Sequence, residues 1–245
     1  MMFDILGKYQ ASFFVNATDI IPSPEIISAL LNMFSDKGFL PTTFQEIGPQ
    51  GLSPQARLRL NSENNEWGIN FASHRINIEK TLVVAGRKIG DVETFAKDAK
   101  DFFSRILGHF NKRGHRLSIV TSGVLQEMTH EQLAEIYTKL FQPIPFYEQA
   151  IPFEWNSKSA SRSEMHIGES LEPINVITGI NRVSGQLAES TSVTKFDRIL
   201  VAFDINTRAE NDDNRFTAES LNDFFANALQ VRSAILDQIR SIVYE

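Results

Sequence analysis

The sequence predicts an α+β fold in which antiparallel sheets are covered by long amphipathic helices. Three observations carry that expectation. Short segments such as RLRL and INIE alternate polar and apolar residues. That pattern puts one face on a core and one in water, the habit of antiparallel strands. Two long segments, about residues 92–112 and 218–243, instead repeat apolar residues at three- and four-residue spacing. Strands followed by a long helix occur twice along the chain, which leaves two similar halves open as a reading.

The elements follow in order. Residues 8–18 (KYQASFFVNAT) are rich in aromatic and β-branched residues and read as a first strand. PSPEIISALLNMFSDKG reads as a helix, with Ser23 at the N-cap and Pro24 where a missing N–H costs nothing. Gly38 is its stop. TTFQEI, QARLRL, EWGINFAS and RINIEKTLVV each suggest a strand, with SENN and Ser73-His74 as turns. Asp91 is a good N-cap for the long helix that follows, and Gly114 ends it. HRLSIVTSGVL is a strand buried near its middle. In THEQLAEIYTKLFQ, Thr129 and Gln132 have capping-box spacing. QPIPFYEQAIP, with three prolines, is the natural boundary between an N-terminal part, residues 1–142, and a C-terminal part, residues 151–245. Beyond it IPFEWNS, PINVITGINRVSGQLA and FDRILVAFDINT suggest strands, and AENDDN a polar loop, before the closing helix.

Composition bounds the function classes. The chain has 245 residues, 42% hydrophobic and 22% charged, ample for a sizeable core. Phe is over-represented, 19 against 4 Tyr and 2 Trp, which suits a Phe-rich core or an exposed Phe patch for a partner. The absence of Cys excludes disulfides, thiolate metal sites and cysteine nucleophiles and fits a cytoplasmic protein. The first residues lack the pattern of a secretory signal, and no apolar run is long enough for a membrane span. A net charge of −6 argues against a general nucleic-acid binder, while leaving room for a local basic patch.

Candidate sites are few. His109, Lys112, Arg113, His115 and Arg116 make a basic run at the end of the long helix. They suit either the negative end of a helix dipole or an anion such as phosphate. In the last helix Leu221, Phe225, Arg232, Ile235, Ile239 and Ile242 form a heptad seam. It suits packing on a sheet of the same chain or a subunit interface. Arg232 within it is expected to pair with a carboxylate or to reach outward with its stem on apolar surface. His130-Glu131 is only a fragment of the HExxH motif, since position 134 is Ala. Glu210, Asp212 and Asp213 lack the glycine and distal Glu of an EF-hand loop. Ser122 follows a strand without the strand-to-helix turn that activates a nucleophile. No metal or cofactor is expected.

The stretch RLRLNSENNEWGINFASHRINIEK, the helix FAKDAKDFFSRILGHF, the strand HRLSIVTSGVL and the start LNDFF of the last helix carry a resemblance. They resemble a sporadically distributed group of bacterial proteins of similar length and uncharacterised function. That resemblance covers about the middle third and the last helix. It implies no catalytic residues, and its patchy distribution implies accessory or mobile-element genes, including defence systems. The leading expectation is a non-catalytic binding or assembly protein, a homo-oligomer or a subunit with a protein partner. The alternative is a hydrolase or binder of phosphate-containing ligands that uses the His109–Arg116 run.

Overall fold

The computed structural model describes residues 3–47, 54–82, 89–189 and 192–244. In chain order the elements are β1 (Phe3–Phe14), α1 (Pro24–Met33), β2 (Phe39–Glu46), β3 (Gln55–Ser62), β4 (Trp67–Ala72), β5 (Arg75–Thr81), α2 (Val92–His109), β6 (Arg116–Leu125), α3 (His130–Leu140), α4 (Pro145–Gln149), β7 (Trp155–Ile167), β8 (Ser170–Glu189), β9 (Ser192–Thr207) and α5 (Ser220–Tyr244). Val83 and Val84, expected at the end of the β5 strand, lie outside the described residues.

The N-terminal caps act as the sequence indicates, while α1 and α2 end at Met33 and His109, five residues before Gly38 and Gly114, the expected stops. Ser23 Oγ accepts from the Ile26 amide, and Pro24 opens α1. Thr129 and Gln132 close a reciprocal capping box on α3. The Thr94 amide donates to Asp91 Oδ1 at 2.6 Å, which caps α2. These hydrogen bonds hold the Asp91 carboxyl below the usual carboxylate range. A lowered folded-state pKa means the ionised cap stabilises the fold above the unfolded pKa and stops doing so as pH falls through the folded one. Asp91→Ala is therefore expected to cost about 1 kcal/mol at pH 7. Urea unfolding should show that difference shrinking towards pH 2, and an undiminished difference there would refute the cap as its source.

The sheet overturns the expected fold class. The strands form one nine-stranded sheet, not several covered sheets, in the order β2-β3-β4-β5-β1-β6-β9-β8-β7 with every neighbouring pair antiparallel. β1 and β6 lie side by side at its middle, Ala11 opposite Ile119. On one flank the chain adds β5, β4, β3 and β2, and on the other β9, β8 and β7. The sheet runs unbroken past the proline-rich segment, because β6 pairs with β9. Of the five helices among the described residues only α2 and α5 are long, at 18 and 25 residues. They do not blanket the sheet: Ser159 to Glu164 in the middle of β7 are all exposed. The physical reason is that alternation in a sequence marks a half-buried strand but carries no information about which strand satisfies its open edge. No helix among the described residues is long and apolar enough to cross a membrane.

The core sits on one side of the sheet. Ala11 and Phe13 of β1, Leu58 and Leu60 of β3, Ile69 and Phe71 of β4, Ile76 and Ile78 of β5, and Leu117 and Ile119 of β6 join Phe95, Phe103 and Ile106 of α2 and Phe224 of α5 in one cluster. A second cluster on the same side puts Leu133, Ile136 and Tyr137 of α3 against Trp155, Ile180, Val201 and Phe203. Each fully buried Phe of this kind contributes about 2–3 kcal/mol by leaving water, so the Phe excess is first of all a core.

The seam of α5 belongs to that core. Leu221, Phe225, Arg232 and Ile239 are buried within the chain, and Ile235 and Ile242 are half-buried. Arg232 neither reaches outward nor leaves the core. Its Nε donates to Thr121 Oγ1 at 3.0 Å, and its guanidinium lies 5.4 Å from the Phe203 ring centre. Burial pushes its pKa down.

Candidate binding face

Every strand side chain in the two clusters comes from one alternate set of positions. The other set faces away from the helices' buried side chains. Register brings one residue of each strand into a single row across this helix-free face. It runs Thr42, Arg59, Asn70, Asn77, Ser12, Ser118, Asn206, Asn175 and Arg162, each directly opposite the next. From Arg59 to Arg162 the residue types read the same from either end: Arg, Asn, Asn, Ser, Ser, Asn, Asn, Arg.

Sheet stability does not explain such a row. Asn is disfavoured in strands, where Thr, Val or Tyr on a half-wet face would serve better. Yet four Asn occupy ladder positions here. Ser12, Asn77, Ser118 and Asn206 are also buried, the last at 2% exposure. Asn206 is well held: its Oδ1 accepts from Arg116 Nη2 at 3.0 Å and Asn175 Nδ2 at 3.1 Å, and its Nδ2 donates to Asp204 Oδ1 at 2.9 Å. Ser118 donates to the same Asp204 oxygen. Gln10 Nε2 donates to Ser12 Oγ. Asn77 Oδ1, by contrast, is buried and accepts no hydrogen bond from the described residues.

The face is also cationic. Apart from the buried Arg57–Glu46 pair, its described residues carry Lys8, Arg59, Arg75, Arg116, Lys158, Arg162 and Arg198 against Glu79, Asp204 and Glu164. That is an excess of four positive charges on a chain of net charge −6. Lys8 is taken up by Glu79 at 3.3 Å. Arg75, Lys158 and Arg162 make no ion pair among the described residues.

The basic run does not converge on one spot. His109 is exposed in the last turn of α2, against the Phe110 ring. Lys112 is bound by Asp19 at 2.7 Å beside a surface recess of about 510 Å³ that Arg113 also lines. His115 lies half-buried by Phe14, and burial pushes its imidazole pKa down. Arg116 alone joins the helix-free face, its guanidinium 4.7 Å from the Phe14 ring centre and its Nε bonded to the Thr207 carbonyl.

The remaining candidates are accounted for locally. Arg208 binds Glu210 at 2.6 Å and pushes that carboxyl down to about 2. His130 Nδ1 lies 3.4 Å from the buried Arg182, which forks onto both Asp197 oxygens at 2.9 and 2.6 Å and onto the Pro152 carbonyl. Ser122 stands on the helix-free face between Lys8 and Ala202. No group of three or more His, Asp or Glu among the described residues is placed to hold a metal ion. With the α5 seam buried, exposed apolar side chains include Ile144, Phe146 and Phe153 around the proline-rich segment and Leu40, Ile47 and Leu171 elsewhere.

Sequence reasoning missed the row. Its signal was present: the polar positions of NFASHRINI, YQASFF, RLSIV and INVITG carry Asn and Ser where a half-wet strand favours Thr, Val or Tyr. The fold and face together define a protein with one open-faced antiparallel sheet and its core on the other side. No protein-family model, curated protein or solved structure matches this chain.

Proposed function

We propose that this is a non-catalytic binding protein that receives a polyanionic ligand on the helix-free face of its sheet. The observation that supports the reading is the cross-sheet row of amides and hydroxyls, ended by Arg59 and Arg162, on a cationic face of an acidic chain. Amides supply both donors and acceptors, and arginine supplies the fork that fits phosphate or sulfate. The dispersal of His109, Lys112, Arg113 and His115 supports binding over hydrolysis, since acid-base chemistry needs its groups within hydrogen-bond reach of one reacting atom. Arg116 reaches the face, so part of the basic run enters this reading.

Heparin is a suitable first probe. Its affinity should fall linearly with the logarithm of salt concentration. The charge-reversed Arg75→Glu/Lys158→Glu protein should lose about tenfold or more at low salt, because both cations are free to meet the ligand. Salt-insensitive binding, or full affinity in the double variant, would remove the face as the site.

A further inference from the structure

Resting on that reading, we infer that the polyanion is a nucleic-acid duplex, lying across the strands with a groove over the row. The ends of the row are the first argument. Arg59 and Arg162 are seven strand spacings apart along the ladders. At about 4.8 Å per spacing this is about 34 Å measured along the sheet. One turn of B-form DNA is about 34–36 Å. Two arginines at that separation meet phosphates, which position a duplex, while the half-buried Asn70 and Asn175 between them meet base edges.

The second argument is the order of residue types. A row that reads the same from both ends suits a ligand with a two-fold axis through its middle. The antiparallel strands of a duplex have such an axis, and protein two-folds are matched to it elsewhere. A polysaccharide or polyphosphate chain runs in one direction or is featureless, and gains nothing from this symmetry. The third argument separates duplex from single strand. Single strands are held by aromatic platforms on which bases stack. No residue of the row is aromatic. The neighbouring Phe14 is already covered by the Arg116 guanidinium.

The test uses fluorescence anisotropy on the full chain with three probes: a duplex DNA of about two turns, one of its strands alone, and heparin. Two variants leave different parts intact. Asn70→Ala/Asn175→Ala keeps every cation, and Arg59→Ala/Arg162→Ala keeps every amide. Asn70→Ser/Asn175→Ser serves if the alanine pair fails to fold by circular dichroism. The duplex should bind at least tenfold tighter than the strand. The asparagine pair should weaken duplex binding by about tenfold or more with its salt slope unchanged. The arginine pair should reduce that slope by about two. Equal affinity for all three probes, with the asparagine pair silent, overturns the duplex and leaves the polyanion reading standing. If none of the three binds, both readings fall.

Discussion

Arg57→Ala is expected to lower the unfolding free energy by about 4 kcal/mol, the scale for stripping a buried charge from its partners. Arg57 is 1% exposed, the largest fully buried side chain among the described residues. Its Nε donates to the Phe71 carbonyl at 3.1 Å, Nη1 to the Thr18 carbonyl at 3.3 Å, and Nη2 to the Ala17 carbonyl. Glu46 Oε2 lies 3.5 Å from Nε and is itself bound to the amide and hydroxyl of Ser73. One guanidinium thus ties the segment after β1 to β4, with Glu46 of β2 alongside. Alanine leaves three acceptors without their donor and a void the size of the side chain. Arg57→Lys should recover only part of the loss, since one ammonium cannot serve three divergent carbonyls. Chemical unfolding followed by far-ultraviolet circular dichroism measures both. A loss under about 1 kcal/mol for the alanine protein would contradict the clamp.

Gly114→Ala is expected to cost about 3 kcal/mol or more, at the upper end for overpacking. Gly114 exchanges two backbone hydrogen bonds with Phe216, at 3.0 and 2.8 Å, and the next amide, of His115, donates to the Phe14 carbonyl at 3.0 Å. A methyl group there falls onto the Phe13 ring and the Phe14 carbonyl oxygen, well inside contact distance. The carbonyl cannot rotate away as a side-chain end can, so β6 must shift along with it. Arg116 and Ser118 of the binding face stand two and four residues on, so ligand affinity should fall together with stability. Gly108→Ala is the control: nothing lies within 4 Å of the added methyl, and the site is helical and exposed. Alanine there should stabilise by up to about 1 kcal/mol. If the two glycine variants unfold alike, close approach at Gly114 is not what the residue provides.

The starts of α2 and α3 were legible because their signal is local. Asp91 and Thr129 announce α2 and α3 within four residues of chain, and their caps are formed. The apolar stripe of α2 buries the positions its spacing marks, among them Phe95, Phe102, Phe103 and Ile106. The basic run misled for the complementary reason. Nearness in sequence says nothing of direction once a helix ends, and Lys112 turns to Asp19 while Arg116 turns onto the sheet. Arg57 was read as one polar step of an alternating strand, and only the segment folded over it makes it a clamp.

By itself, then, the sequence determined most element types and the caps of α1, α2 and α3, but not the short helix α4 or residues 158–167 of β7. What it determined depends on periods of two and 3.6 residues and on hydrogen bonds spanning a few positions. Only the tertiary structure decided that nine strands share one sheet, that β1 meets β6, and that the eight residues from Arg59 to Arg162, drawn from eight strands, stand in one line. A strand's polar residues look alike until register sets each beside its neighbours. Register is fixed by ladders between segments as distant as Ser12 and Ser118, which no local pattern encodes.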